Sequence, residues 1–410
     1  MVDIVASQEI IAAFPLCESD VSTGYRSPVG QGFVIVGAGI AGLTGAVALQ
    51  RDGHRVVALE ARSDTSPGAG ISIWPNALAA LDEIGLGAAV RAAGGRVTAG
   101  AMRWHDGSRL RAPAPQRLVK ALGEPLVVVQ RAALRDVLAG ALTPGTLSYG
   151  ANVSALVATA GGVRLTLGDH SVLEADAVIG ADGTHSVVAT HLNGSLPHRY
   201  AGYTAWRGVA RYALDPDLAG ETVAAGAVVG HVPLGDHLTY WFATEQTPEG
   251  GRRAQGELNY VRQKFAHWAQ PVPDILAATD PAEVLRNDLY DRAPARQWAR
   301  GPIVVIGDAA HPMRPHLGQG GCQAIEDAVV LAHLVRRAAD PAAAFADFAA
   351  ARRRRTTALV REAALVGTVL NLRPPAVSAA LTRASVLIPD AVLLRHLASM
   401  AAGTAFRLPD

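Results

Sequence analysis

Apolar residues fall in short unbroken runs near the start of the chain and in alternation through its middle. The run Phe33-Val34-Ile35-Val36 contains no polar residue, which predicts a strand buried on both faces. Gly37-Ala38-Gly39-Ile40-Ala41-Gly42 follows at once, and a helical stretch then extends to about Arg51, with Gly53 as its C-terminal glycine. A second strand, Arg55–Leu59, ends at Glu60. Beyond this strand–glycine turn–helix–strand unit the pattern becomes β-rich: Leu126–Val129, Val163–Leu167, Ala177–Ile179, Tyr203–Tyr212, Ala224–Val232 and His237–Thr244. Several of these alternate polar and apolar residues, as a sheet with unlike faces requires. Ile303–Ile306 predicts one more buried strand. Asp340, a good N-cap, and Pro341, a good first helical residue, open a long helix that Pro374-Pro375 stops; Pro389-Asp390 breaks the remaining helical tail. Residues 1–31 show no period and read as a flexible lead-in.

Composition narrows the function classes. The 410 residues are half hydrophobic and only 18% charged, enough apolar material for two intertwined domains. The formal net charge is +1, so no basic excess exists for a nucleic acid. The run Arg352-Arg353-Arg354-Arg355 lies in a helical stretch and is expected to be a solvated face rather than an anion site. Cys17 and Cys322 lack metal-ligand spacing and imply no disulfide scaffold, so a cytoplasmic protein without a metal is expected. The N-terminus lacks a basic leader region, and no stretch has the length and apolarity of a membrane span, although the apolar C-terminal region leaves room for peripheral membrane contact.

Three segments carry candidate chemistry. In the first, Gly37 permits a tight turn, Gly39 lets the backbone approach a pyrophosphate, and Gly42 lets the helix pack close to the strand. The helix start offers unpaired N–H groups to the phosphates, and Glu60 stands where an acid accepts hydrogen bonds from a ribose. A bound dinucleotide follows; the motif alone does not separate FAD from NAD. The second segment, AVIGADGTHSVV over 177–188, is by itself a strand and an Asp-Gly turn at Asp182-Gly183. The third, IVVIGDAAHPMRPHLGQGGCQAIEDA over 303–328, is a buried strand ending at Gly307-Asp308, a Pro- and His-rich linker, and a helix opened by Gly318, Gly320 and Gly321. Asp308 is placed to bond a polyol, and the glycine-rich helix start to support a developing anion. Glu326 and Asp327 read as ordinary acids near a helix start, and Cys322 as a small packing residue.

Taken in this order and spacing, the three segments resemble the group A flavoprotein monooxygenases, the family of para-hydroxybenzoate and salicylate hydroxylases, flavin urate hydroxylase and zeaxanthin epoxidase. The resemblance spans about residues 33–350 and includes Pro67–Asn76 (PGAGISIWPN) and Gln130-Arg131. It implies an α/β fold: a Rossmann-like FAD-binding domain interleaved with a β-sheet substrate domain, plus C-terminal helices. The FAD domain would take residues 32–101, 127–189 and 297–340, the substrate domain 102–126 and 190–296, and the helices 341–410. Gly37, Gly39 and Gly42 would hold the pyrophosphate of FAD, Glu60 the adenosine ribose with Arg62 beside it, and Arg131 would contact the cofactor. Asp182 and Gly183 would sense both FAD and a passing NADH or NADPH, Asp308 would bind the ribityl chain, and Pro315 to Gly321 would line the flavin ring. Hydroxylation would run through a hydroperoxide at flavin C4a, with O2 and a small aromatic or polyketide-like molecule as partners and a monomer or dimer as the working form.

Candidate catalytic residues are Arg207, as a clamp for a carboxylate or phenolate, and His311, Arg314 and His316, pinned near the flavin. Trp206, Tyr240 and His231 are candidate substrate contacts; for Arg207 and His231 an ordinary sheet position is the competing reading. No Arg occurs over 224–232, where flavin urate hydroxylases are expected to carry one, which counts against urate. Epoxidation or Baeyer–Villiger oxygenation of a polyene, terpenoid or polyketide is the alternative chemistry. A geranylgeranyl-type reductase and a flavin-binding protein without turnover are the alternatives that use no O2, and the missing W-x-W-x-I-P motif disfavours a halogenase.

Overall fold

The computed structural model describes residues 32–62, 69–235 and 237–410; the expected lead-in at 1–31, Cys17, and Pro67 and Gly68 of the Pro67–Asn76 segment lie outside them. Gly32–Val36 forms the central strand of a six-stranded sheet, buried at all five positions as its unbroken apolar run requires. Arg55–Glu60 and Ala177–Gly180 flank it in parallel register, with Leu147–Tyr149 and Ile303–Val305 outside them and Ala299–Arg300 as an antiparallel edge. The helices Ile40–Arg51 and Gly320–Arg337 pack against each other beside this sheet, with Gly45 facing Ala328. An antiparallel meander, Val153–Thr159, Gly162–Leu167 and Val172–Ala175, adds Leu156, Val163, Leu165 and Leu173 to the same core.

A seven-stranded sheet is built from Leu285–Arg292, His198–Ala210, Thr239–Glu245, Ala227–Pro233, Gly220–Ala224, Ala101–Trp104 and Arg109–Arg111, in that spatial order. Its register sets Arg207 opposite Phe242, Phe242 opposite Gly230, Gly230 opposite Glu221, and Glu221 opposite Met102, so these residues share one face. The other face carries Trp206 and Trp241 and is covered by Glu257–Lys264 and Val272–Ala277, whose Val261, Ile275 and Leu276 pack with Phe265 into a second core. A three-stranded sheet, Gly70–Ile73, Leu126–Gln130 and Gly94–Val97, lies between the two larger ones.

Asp340 caps the helix Pro341–Leu370, accepting a hydrogen bond from the Ala343 amide at 2.9 Å. The Arg run on this helix departs from the solvated face expected of it. Arg353 and Arg354 are exposed, but Arg352 is 5% exposed, with Nη1 2.6 Å from Glu326 Oε2 and Nε 2.7 Å from Asp327 Oδ1. Arg355 adds a paired contact to Glu326 at 2.7 and 2.8 Å. Glu326 and Asp327 are therefore not ordinary helix-start acids: both are fully buried and charge-paired. Burial alone would raise the Asp327 carboxyl, but His311 and Arg352 hold it down to about 2. The physical reason was in the pattern: Phe345, Phe348, Thr356 and Leu359 form the buried stripe of this helix, and Arg352 falls on that stripe.

Beyond Leu370 the helices Pro375–Ala384 and Asp390–Ala401, with the short turn Ser385–Leu387 between them, leave Leu381, Leu387 and Val392 exposed. No single helix among the described residues is long and apolar enough to cross a membrane.

Candidate active site

The first glycine segment is shaped by contacts with backbone. Gly37 has φ +98°, and a Cβ there would lie 2.5 Å from the Ala181 carbonyl oxygen; the second segment thus abuts the first. A Cβ on Gly42 would lie 1.9 Å from the Gly37 carbonyl oxygen. Gly39 differs, since nothing lies within 4 Å of its Cβ position. The helix that starts at Ile40 has no side-chain cap and no acid in its first turn. Its free N–H groups and partial positive charge are thus available to an anion. Glu60 braces the turn: Oε2 accepts from the Ala38 amide and Oε1 from the Arg62 amide, both at 3.0 Å. Arg62 itself is exposed beside it.

Farther along the same cleft stand Asp308 and Arg131. Gly307 has φ +58°, and a Cβ there would lie 3.0 Å from the Ala41 methyl, so the loop carrying Asp308 presses on the first helix. The Asp308 carboxylate is open to solvent yet ringed by protein atoms, the environment of a cleft floor. Burial pushes its pKa up, while His311, Arg131 and Arg292 pull it down. Arg131, at the start of the helix Arg131–Gly140, has the same character: accessible, but with its pKa lowered by desolvation and raised by Asp308. No hydrogen bond from the described residues reaches either side chain. These groups fit FAD: an uncapped helix start and an open Gly39 for phosphates, Glu60 for a ribose, Asp308 for the ribityl hydroxyls, and Arg131 for an anionic part of the cofactor. Replacing Arg131 with Met is expected to weaken FAD binding by roughly tenfold, the scale of one charge-assisted hydrogen bond. Flavin fluorescence on dilution measures this, and an unchanged dissociation constant would remove Arg131 from the site.

Asp182 is engaged by its own turn. Its Oδ1 accepts from Ser186 Oγ at 2.5 Å and its Oδ2 from the Val187 amide at 2.7 Å, so the carboxylate ties down the start of the helix Val187–Asn193. Gly183, at φ +73°, makes the turn. In the third segment, Pro315–Leu317 forms a single helical turn and Gly318 follows at φ +61°. A Cβ on Gly321 would lie 2.7 Å from Ile71 Cδ1, so the strand Gly70–Ile73 runs close against the helix start. Gly320 has only Met313 near its Cβ position, at 3.6 Å, and the helix it opens has no side-chain cap. Cys322 lies there against the backbone of Ser72 and Trp74; burial pushes its thiol up to about 12, against the pull of the Trp74 amide, and leaves it a packing residue.

The open face of the seven-stranded sheet looks toward this cleft. A Cβ on Gly70 would lie 2.5 Å from the Tyr240 ring, so Tyr240 packs directly on the strand Gly70–Ile73. Arg207 donates to Asn287 at 2.9 Å, and its charge lies close enough to Tyr240 to offset part of the rise that burial gives the Tyr240 pKa. Tyr203, on the same strand, pairs its hydroxyl with His316 Nε2 at 2.9 Å. Arg314 is clamped by both oxygens of Asp291 at 2.5 and 2.9 Å. Burial and the Arg314 charge lower the His316 pKa to about 4, so its imidazole is neutral near pH 7. Three candidates do not reach this face. Trp206 projects to the helix-covered side and donates to Glu257 at 2.7 Å; the strand alternation that puts Arg207 in the open puts its neighbour inside. His231 is buried on that same side, 3.2 Å from Thr222 Oγ1, and lies near Arg103; burial first and this charge second lower its pKa to about 4. His311 is 1% exposed, bonded to Asp327 at 2.5 Å and packed on Trp298. Its place is in the buried ion cluster.

Uncapped glycine turn, bracing acid and cleft-floor Asp together define an FAD-binding α/β protein of the glutathione-reductase type. The chain belongs to the group A flavin monooxygenases, and the family model described as an FAD binding domain matches residues 32–363. It is 37% identical over 339 residues to an aurachin C monooxygenase/isomerase of Stigmatella aurantiaca, covering 82% of this chain and 88% of that one. It is 34% identical over 337 residues to an FAD-dependent urate hydroxylase of Klebsiella pneumoniae, covering 80% and 88%. The crystal structure of Klebsiella pneumoniae HpxO complexed with FAD and uric acid superposes with a TM-score of 0.84 at 28% identity, covering 90% of this chain and 96% of that one.

Proposed function

We propose that this FAD-dependent monooxygenase takes a hydride from NADH or NADPH and places one atom of O2 on a small aromatic substrate, the other leaving as water. FAD, when bound, supplies the redox chemistry. The chain's own residues hold the substrate and keep water out. The observation that carries the reading is convergence: the sheet face bearing Arg207, Tyr203 and Tyr240 meets the cleft that carries Arg131 and Asp308. Arg207, hydrogen-bonded to Asn287 and beside Tyr240, orients an anionic or phenolic oxygen. His316 is neutral and tied to Tyr203, so it serves as a hydrogen-bonding wall rather than a cation. Val228 and Val232 carry no charge on the same face, which supports a substrate less polar than urate. Apolar walls limit loss of reducing power to H2O2.

The test is O2 consumption by FAD-loaded protein with NADH or NADPH, over a panel of phenols, aminophenols and fused nitrogen heterocycles, with H2O2 followed in parallel. One compound is expected to accelerate NAD(P)H oxidation and gain one oxygen atom with little H2O2. Reduction of a substrate without O2 uptake would instead identify a reductase.

A further inference from the structure

On the open face of the substrate sheet, one ionisable group is left without a partner. Glu221 lies on Gly220–Ala224, opposite Gly230 on one side and Met102 on the other. It makes no hydrogen bond and no ion pair among the described residues. The charged groups nearest by register are engaged elsewhere. Arg111, two strands away, is held by Asp390 and the carbonyls of Ser385 and Ile388. Arg207, three strands away on the other side, donates to Asn287. Arg103 and His231 project to the opposite face, Arg103 onto the carbonyls of Asp217 and Leu218.

The side chains packed beside Glu221 on this face are apolar, and the Arg383 guanidinium of the helix Pro375–Ala384 is stacked on one of them, Trp104, 4.6 Å from its ring centre. A Cβ on Gly230 would lie 2.1 Å from the Phe242 ring, so that ring lies over the residue directly across from Glu221. Tyr240 continues the aromatic surface, its ring centre 6.4 Å from that of Phe242. Val223, Val228 and Trp104 form the adjoining wall, closed by Leu370 and Ala379 of the C-terminal helices. The Glu221 side chain remains partly accessible. Desolvation alone raises its pKa to about 7. An unpaired carboxylate in such a place lowers stability, and a perturbed acid in a cleft marks a functional position.

We propose that Glu221 is the specificity-determining group of the substrate pocket, accepting a hydrogen bond from a ring N–H of an aromatic nitrogen heterocycle that stacks on Phe242. The inference rests on the oxygenase reading for the identity of the pocket, and it deepens it by naming the substrate class. A site that accepts from an N–H rejects the analogue lacking it, because the carboxylate is then left unpaired and dry.

The test titrates FAD-loaded protein with benzimidazole against N-methylbenzimidazole, and indole against N-methylindole, following the visible spectrum of the bound flavin. The N–H member of each pair is expected to bind roughly tenfold or more tightly, the scale of a hydrogen bond to a charged group. The preference should strengthen from pH 6 to pH 8 as the carboxylate form fills. Glu221→Leu should erase the preference, keep the flavin content and raise the thermal midpoint; Glu221→Gln should retain part of the preference without its pH dependence. Equal binding within each pair, binding of neither member, or a preference that survives Glu221→Leu overturns the proposal. An intact preference in a protein that never consumes O2 overturns the oxygenase reading instead and leaves the role of Glu221 standing.

Discussion

Gly42→Ala protein is expected to purify without yellow colour. The added methyl would sit 1.9 Å from the Gly37 carbonyl oxygen, a backbone atom that cannot swing aside as a side chain does. The turn must open by more than an ångström, which disrupts both the tight approach at Gly37 and the helix start that faces the phosphates. Gly39→Ala provides the contrast. Its methyl meets nothing in the protein within 4 Å, so folding should be unchanged while FAD binding weakens, because the methyl occupies the approach to the pyrophosphate. Flavin-to-protein ratio and thermal midpoint separate the two: Gly42→Ala should lower both, Gly39→Ala the first alone. A fully flavinated Gly42→Ala protein would show that the turn does not hold the cofactor.

The second large effect is expected in the buried ion cluster. Arg352→Leu leaves Glu326 and Asp327 buried with one cation fewer, and removing one partner of a buried ion cluster costs about 3–5 kcal/mol. Arg353→Leu, on the exposed side of the same helix, should cost less than about 0.5 kcal/mol. The pH dependence has a definite sign. In the native protein the Asp327 pKa is depressed to about 2, so its contribution is complete above the unfolded value of about 3.9 and is lost only as pH falls through 2. Without Arg352 the buried carboxyls bind protons more readily, so the stability gap between variant and native protein should narrow as pH falls from neutral. Urea unfolding at pH 7 and pH 5 measures this; a gap that is small, or that widens toward pH 5, would show that the cluster is not held by Arg352.

The sequence was most informative where one residue type answers one physical demand. Gly37 and Gly42 are glycines because a Cβ collides with backbone, and the four apolar residues before them are a strand because both faces are covered. The limits of the helices at Arg51 and Pro341 were likewise visible in Gly53 and in Asp340-Pro341. The pocket face was half legible. Arg207 and Tyr240 share the face that meets the cleft, whereas Trp206, a candidate by its chemistry, has the opposite parity to Arg207 and lies on the covered side. Glu221 attracted no attention because a single acid in a strand looks like a solvent-facing residue; its isolation appears only when five neighbouring strands are in register. His311 turns inward to Asp327 from a segment whose neighbours face the cleft, a side-chain direction that position along the chain does not reveal.

The helix Pro341–Leu370 also constrains how this chain can change over generations. Near its middle, Arg352 and Arg355 grip the acids of the cofactor-binding core; fifteen residues later Gly367 packs on His316 and Arg314, and Leu370 closes the wall beside Glu221. Those points are about 22 Å apart along one rigid rod. Inserting or deleting a single residue between them would turn the far end by about 100° and carry Gly367 off His316 while the Arg352 anchor stayed in place. Length variation among descendants should therefore be absent between residues 352 and 370 and tolerated after Leu370, where the tail can diverge without disturbing the ruler that sets the pocket.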